Sequence, residues 1–224
     1  MAQVTTGRIY QCDGHSQEGH ELAANHPVIV VGRQCLIDIQ RIAIVVPLSS
    51  TRPNYPVHWA MEIEDTNSHA YIRHVKAVHV TKIGGFLGTA TPDEIDSIKD
   101  GLARELQYDT HECATASGLE VRPGGLWSAS IPNARGLSYE GELLILTTNR
   151  DTGMATALAV DQQPRSNLRQ SIPVTLEDPQ QLAFAITYQV RSVSTEERLT
   201  GYRGNITDEH LRLAKSALIR CIEP

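Results

Sequence analysis

The stretch Asn25-His26-Pro27-Val28-Ile29-Val30-Val31 decides the expected fold, because a polar corner with a proline leads directly into four β-branched residues. A short apolar run of this kind is typical of a strand that is buried on both faces. Proline presets φ and has no N–H, so within a sheet it fits the first residue of a strand. We therefore expect a central strand with His26 at its mouth, in a small β-barrel built around that strand.

The neighbouring sequence predicts the rest of this barrel. Residues 7–13 alternate between apolar and polar side chains, and residues 40–47, 55–63 and 70–81 are further strand candidates, which makes five short strands. Thr91-Pro92-Asp93-Glu94 then combines a capping box with a proline at the first helical position. Apolar residues follow at helical spacing, so we expect one closing helix that lies on the barrel.

The same order of elements recurs in the second half of the chain. The offset is 117 residues between Gly7 and Gly124, 115 between His74 and Gln189, and 116 between Thr91 and Thr207. A period that barely drifts over whole elements indicates an internal repeat, although small β domains also share much of this order by chance. We predict a first copy at 1–107, a linker at 108–121 and a degenerate second copy at 122–224.

Composition limits the classes of protein that this chain can be. Of its 224 residues 41% are hydrophobic and 21% are charged, which is ordinary for a globular protein, and the net charge is −6. A nucleic-acid partner would therefore need a local patch and not bulk positive charge. The four cysteines have no CxxC spacing, so we expect reduced thiols. No apolar run is long enough for a membrane span and no leader pattern is present, so we expect a cytoplasmic protein.

Several motifs together resemble the MazF/PemK toxin family. They are Gly7-Arg8-Ile9-Tyr10, the His26-Pro27 strand, Val46-Pro47-Leu48-Ser49-Ser50, Tyr55-Pro56-Val57, and Gly84-Gly85-Phe86-Leu87-Gly88 with the helix that begins Thr-Pro-Asp-Glu. The resemblance implies SH3-like barrels with a C-terminal helix that pair as dimers. It further implies binding and cleavage of single-stranded RNA without metal or cofactor, and neutralisation by an antitoxin. A tandem copy would then be a pseudo-dimer within one chain.

The sequence also departs from the family pattern. The family has Arg-Pro where this chain has His26-Pro27, and the second half has Gly141-Glu142 there. The first half keeps the family's Pro-x-Ser as Pro47-Leu48-Ser49, whereas the second half reads Asp161-Gln162-Gln163. The first site is thus altered, and the second site is expected to be lost.

The remaining polar residues still suffice for cleavage of RNA by its own 2′-hydroxyl, which needs a base, an acid and a group that stabilises the phosphorane. His26 could act as base or acid because its ordinary pKa is near neutrality. Ser49 could bond a phosphate oxygen, and Lys76 or Arg73 could face the negative charge. Two plain alternatives stay open: His26 as a polar strand cap, and Ser49 as a turn residue that bonds its own backbone.

Arginine and tyrosine near turns are typical of proteins that hold phosphates and stack unpaired bases. The candidates for RNA contact are Arg52, Arg73, Arg165, Arg169, Tyr188 and Arg191. Nine histidines invite a metal interpretation, but no HExxH or Cys/His quartet occurs, so we expect no metal site.

Two functions therefore remain open from the sequence. The chain is either a metal-independent endoribonuclease, or an inactive RNA-binding or protein-interaction module that keeps the toxin fold. A gyrase poison of the CcdB type is a distant third. An enzyme predicts His26 open to a groove near Ser49, whereas a scaffold predicts His26 packed away.

Overall fold

A computed structural model describes residues 3–13, 25–51, 60–63, 68–107, 113–132, 138–149, 153–163, 171–176 and 182–222. The chain divides into two compact units, one made mostly of residues 1–107 and the other mostly of residues 108–218. Each unit contains one large sheet, and the fold is mainly β with few helices. Among the described helices none is long and apolar enough to cross a membrane.

The sheet of the first unit is built from seven strands. They are β1 (Arg8–Asp13), β2 (Asn25–Val30), β3 (Ile42–Ser49), β4 (Ala60–Ile63), β5 (Ser68–Tyr71), β6 (Lys76–His79) and β7 (Ile83–Thr89). The order is β4-β5-β3-β2-β1-β7, and β6 also pairs with β3. As the sequence predicts, the run from Val28 to Val30 lies in the middle of the sheet and is fully buried.

Two local predictions for this unit are wrong. The turn expected after Arg33 is helix α1 (Gln34–Gln40), which ends at Arg41 in the left-handed conformation with φ 58°. The single strand expected over 70–81 is broken into β5 and β6 by a 3₁₀ turn at Ile72–His74. The break follows from β3, which pairs with β6 up to Val45 and with β5 from Leu48. Pro47 lies at this change of partner and has no N–H to donate to either neighbour.

Helix α2 (Pro92–Gln107) begins at the predicted capping box. The Glu94 N–H donates to Thr91 Oγ1 at 3.2 Å, and Glu94 Oε2 accepts from the Thr91 N–H at 2.6 Å. The helix buries Ile95, Ile98, Leu102 and Leu106 as the spacing predicts. Tyr10, Val28 and Val45 lie together in a hydrophobic core cluster that also contains Ile37 of α1.

The second unit contains a six-stranded sheet that precedes another helix. Its elements are β8 (Cys113–Ala114), β9 (Glu120–Val121), β10 (Gly125–Pro132), β11 (Ser138–Asn149), β12 (Met154–Asp161), β13 (Ser171–Thr175), β14 (Leu182–Ser194), α3 (Thr195–Arg198), β15 (Leu199–Asn205) and α4 (Asp208–Ile222). The order in the large sheet is β13-β14-β12-β11-β10-β15. Strands β8 and β9 pair with each other within the stretch that the sequence predicts to be a linker.

The two sheets share a set of backbone contacts at equivalent places. The Gly7 N–H donates to Val30 O and the Gly124 N–H donates to Ile145 O, both at 2.8 Å. Both glycines have positive φ, 82° and 85°. The Ala90 N–H donates to Gly7 O at 3.0 Å, as the Ile206 N–H does to Gly124 O at 2.9 Å. In each unit one glycine therefore ties the first strand to the second strand and to the start of the closing helix.

Aromatic side chains also correspond between the sheets. Tyr10 of β1 is opposite Phe86 of β7, with ring centroids 6.0 Å apart, and Trp127 of β10 is opposite Tyr202 of β15, with centroids 5.2 Å apart. In both sheets the register shifts just before the inner aromatic residue. The main strand order, the register shift before the inner aromatic residue and the glycine turns are therefore common to both sheets, although the first sheet has β5 and β6 where the second has β14.

Among the described residues, the two large sheets do not close into the predicted barrels. Within the described residues each large sheet is an open path of pairings, which ends at β4 and β7 in the first unit and at β13 and β15 in the second. In the first unit β5 and β6 pair with different parts of β3, so the strand beside β3 is interrupted.

Candidate active site

The candidate site lies where β2 and β3 stop pairing. The last pair between them that the structure describes is Val28 with Pro47. Beyond it β2 continues with β1 through His26, and β3 continues with β5 through Ser49. The register, continued by two residues, leads to His26 and Ser49, so these side chains project from the same face on either side of the separation.

His26 is half-buried at the start of β2, and its partner in β1 is Cys12. Burial lowers the pKa of the His26 imidazole below its ordinary value of 6.5, and the positive charge of Lys76 lowers it further. Both effects disfavour the imidazolium form. His26 is therefore predominantly neutral at neutral pH and can accept a proton.

Ser49 is half-buried at the end of β3. Its Oγ accepts a hydrogen bond from the Thr51 N–H at 3.2 Å, which is the turn role left open by the sequence. Tyr71 Oη donates to Thr51 O at 2.7 Å and holds the same turn. A hydroxyl has one proton and two lone pairs, so Ser49 can still donate to a phosphate oxygen.

Lys76 lies in β6 opposite Val45, on the face that also carries Val28 and Tyr10. Its positive charge acts on His26 and on the buried thiol of Cys12. The pKa of Cys12 is nevertheless raised, because burial is the larger effect. Lys76 thus contributes positive potential to the face where His26 and Ser49 project.

Arg73 does not lie where an RNA-binding residue would lie. Its side chain is 6% exposed, and its Nε is 3.2 Å from Oε1 of Glu105, which is 7% exposed. The sequence does not predict this ion pair, because Glu105 is 32 residues away on α2. Arg73 therefore holds the first unit together internally, and the prediction of RNA contact or phosphorane stabilisation needs correction for this residue.

The other predicted RNA contacts are only partly described. Arg52, Arg165 and Arg169 lie outside the described residues. The backbone of Tyr188 belongs to β14. Arg191 is half-buried in the same strand opposite Ala157, which corresponds to Lys76 opposite Val45 in the first sheet.

The second sheet has different residues at the positions of His26 and Ser49. Cys12 pairs with His26 in the first sheet, and Ala129 pairs with Gly141 at the equivalent place in the second. A Cβ on Gly141 would lie 2.8 Å from Cδ1 of Ile131, so this place is filled by a core side chain. By the register of β11 and β12, the equivalent of Ser49 is Asp161. The second unit therefore has no histidine and no serine at these two positions.

Sequence reasoning missed two residues that the fold brings to this site. Cys12 is buried directly beside His26, and His69 is the partner of Ser49 in β5. Only the strand register could have identified them, because neither belongs to a recognisable motif. Within the described residues no group of three or more His, Cys, Asp or Glu could hold a metal ion.

Residues 5–106 match the family model described as PemK-like, MazF-like toxin of type II toxin-antitoxin system. Residues 5–106 are thus similar to the PemK/MazF toxin family. The assignment covers all of the strands around His26 and Ser49 and the helix α2. The altered residues, His26 above all, therefore lie within the part of the chain that matches this family model.

Solved structures similar to the chain include an endoribonuclease from Mycobacterial species, at 17% identity, with 50% of this chain and 98% of that chain covered and a TM-score of 0.40. An endoribonuclease in complex with its cognate antitoxin from Mycobacterial species has 22% identity, covers 47% and 97%, and has a TM-score of 0.38. MazF (Form-I) from Deinococcus radiodurans has 16% identity, covers 48% and 100%, and has a TM-score of 0.43. No curated protein matches the chain significantly.

Proposed function

We propose that the protein is a metal-independent endoribonuclease that cleaves single-stranded RNA at the PemK/MazF domain. The observation that carries this proposal is the placement of His26 and Ser49 on one face, where β2 and β3 separate within a domain of this toxin family. The partial burial of His26 supports this proposal over a histidine that is packed into the core.

The proposed reaction uses the 2′-hydroxyl of the RNA as nucleophile. Neutral His26 accepts the 2′-hydroxyl proton while the oxygen attacks phosphorus. Ser49 donates a hydrogen bond to a non-bridging oxygen, and Lys76 supplies positive potential as charge develops on the phosphorane. The P–O5′ bond then breaks and the leaving 5′-oxygen takes up a proton from an acid, which yields a 2′,3′-cyclic phosphate and a 5′-hydroxyl end.

We further propose that the second unit is a degenerate second copy of the domain, with its boundary in residues 108–121, and that the two copies replace a homodimer. The shared strand order, the glycine turns at Gly7 and Gly124 and the paired aromatic residues support this proposal. The second copy would hold RNA with Arg191 and would not cleave it. An antitoxin is the expected protein partner, since the family model describes a toxin-antitoxin system.

The test is incubation of the purified protein with a long mixed RNA in EDTA, beside His26→Ala and the control His79→Ala. His79 is exposed at the opposite end of the sheet, where it pairs with Ile42. Discrete fragments from the wild type and from the His79 variant, but not from the His26 variant, are expected. Intact RNA with salt-sensitive binding would instead support the binding module, which the turn role of Ser49 favours.

A further inference from the structure

His69 lies next to Ser49 and has no part in the reaction proposed for His26, Ser49 and Lys76. It is half-buried in β5, where its Cα partners are Ser49 of β3 on one side and Glu62 of β4 on the other. Cross-strand partners project from the same face of a sheet. His69 and Ser49 therefore project together.

The register places the two histidines on opposite sides of Ser49. His26 lies across from Ser49 on the β2 side, and His69 is paired with Ser49 on the β5 side. Neighbouring strands are about 4.8 Å apart, so His69 lies one strand interval from Ser49 on one side, and His26 lies on the other side, where β2 and β3 no longer pair. A phosphodiester above Ser49 would have one imidazole on each flank, which is the arrangement that in-line displacement at phosphorus needs.

Resting on the ribonuclease function proposed above, we propose that His69 is a second catalytic residue, the general acid that protonates the leaving 5′-oxygen of the RNA. The proton of the 2′-hydroxyl passes to a ring nitrogen of His26, and the 2′-oxygen forms a bond to phosphorus. The bond from phosphorus to the 5′-oxygen breaks, and that oxygen takes a proton from the His69 imidazolium. His26 ends protonated and His69 ends neutral, so water must take the proton from His26 and return one to His69 before the next turnover.

Other residues around the site are poorer acids. Arg73 is buried against Glu105, and a guanidinium or a lysine ammonium gives up its proton far less readily than an imidazolium near neutral pH.

The second sheet supports the assignment of His69 as the acid, because it has a different residue at the equivalent position. There Phe184 is paired with Asp161, at the place that corresponds to His69 and Ser49. Both imidazoles are thus lost together in the second unit.

The experiment compares two RNA oligonucleotides with a single cleavable linkage. One has the ordinary 5′-oxygen, and the other has sulfur in place of that bridging oxygen. A thiolate leaves without protonation, so cleavage of the sulfur substrate needs the base but not the acid. Wild type, His69→Gln, His26→Gln and the control His79→Gln are assayed on both substrates in EDTA.

We expect His69→Gln to lower cleavage of the oxygen substrate by about 10²- to 10⁴-fold, and to leave cleavage of the sulfur substrate within roughly tenfold of the wild type. His26→Gln should lose activity on both substrates, and His79→Gln on neither. The ratio of the two rates in one protein sample does not depend on how much of a variant is folded.

Equal losses on both substrates, or no loss on either, in a preparation whose wild type is active would overturn the role of His69 and leave the ribonuclease function standing. A wild type that cleaves neither substrate would overturn the ribonuclease function, and the role of His69 with it. A His69→Asn variant that gave a different substrate ratio from His69→Gln would also count against general-acid catalysis.

Discussion

Gly141 holds in the second sheet the register position that His26 holds in the first. Gly141 is paired with Ala129, and His26 is paired with Cys12. Ala129 and Cys12 each belong to a strand that follows a glycine with positive φ. Ile131 fills the space above Gly141, so a core side chain occupies in the second sheet the space beside the position that His26 holds in the first. The two units therefore share the backbone arrangement at this position and differ in the side chains that fill it.

Replacing Gly141 tests this relationship directly. Gly141→His should destabilise the protein by about 1–3 kcal/mol, because the new side chain must displace the buried Ile131. It should not raise RNA cleavage. Gly85→Ala is the matched control, since its Cβ would meet no atom within 4 Å, and thermal unfolding of both variants gives the comparison. A stable Gly141→His protein with doubled activity would contradict the loss of the second site.

The buried ion pair of Arg73 and Glu105 predicts an effect on stability. Glu105→Ala leaves the guanidinium buried without its carboxylate partner and should cost about 3–5 kcal/mol of unfolding free energy. Asp96→Ala removes a 75%-exposed partner of Lys99 and should cost less than about 1 kcal/mol. Denaturant unfolding measures both. Equal effects of the two variants would show that Glu105 is not an internal anchor.

The titration of His26 should depend on Lys76. Burial and the Lys76 charge both lower the pKa of His26, so Lys76→Gln should raise it toward the ordinary value, as followed by NMR of the ring protons. Lys82→Gln is the control, because Lys82 acts on Cys12 and is not among the causes of the His26 shift. A His26 titration that is the same in wild type and Lys76→Gln would contradict the electrostatic coupling.

The same shift makes a prediction about stability and pH. The folded pKa of His26 lies below the unfolded value near 6.5. Between these two values the unfolded chain binds more protons, so unfolding is favoured there. The contribution of His26 to stability is therefore present above about pH 6.5 and is lost as the pH falls through the folded pKa. The unfolding free energy of the wild type minus that of His26→Gln should therefore decrease as the pH is lowered through this range.

Thr91 and Glu94, the two halves of the capping box at the start of α2, should stabilise each other. Thr91→Ala removes an acceptor for the Glu94 N–H and should cost about 1 kcal/mol. Because Glu94 Oε2 in turn accepts from both Thr91 N and Thr91 Oγ1, the Thr91 and Glu94 substitutions should not be additive. A double-mutant cycle measured by thermal unfolding tests the coupling. Full additivity would mean that the two halves of the capping box act independently.

The sequence could predict the features of this structure that depend on interactions within a few residues. The cap at Thr91 and the β-branched run from Val28 act over a few residues, so their patterns can be interpreted without tertiary information. Helix α1 was missed because its acidic first turn and side-chain cap are both absent, and its end depends on Arg41 adopting positive φ. His69 and the burial of Arg73 depend on pairings across 20 and 32 residues, which only the folded chain establishes.

The change of partner along β3 has a consequence for motion. Since β6 holds β3 up to Val45 and β5 holds it only from Leu48, the β4–β5 hairpin can open without disturbing the pairs made by β6. Local openings of this kind cost less free energy than global unfolding. Amide hydrogens at His69 and Ala70 should then exchange faster than those at Ala77 and Val78. Such breathing would admit an extended chain to Ser49 while the rest of the domain stays rigid.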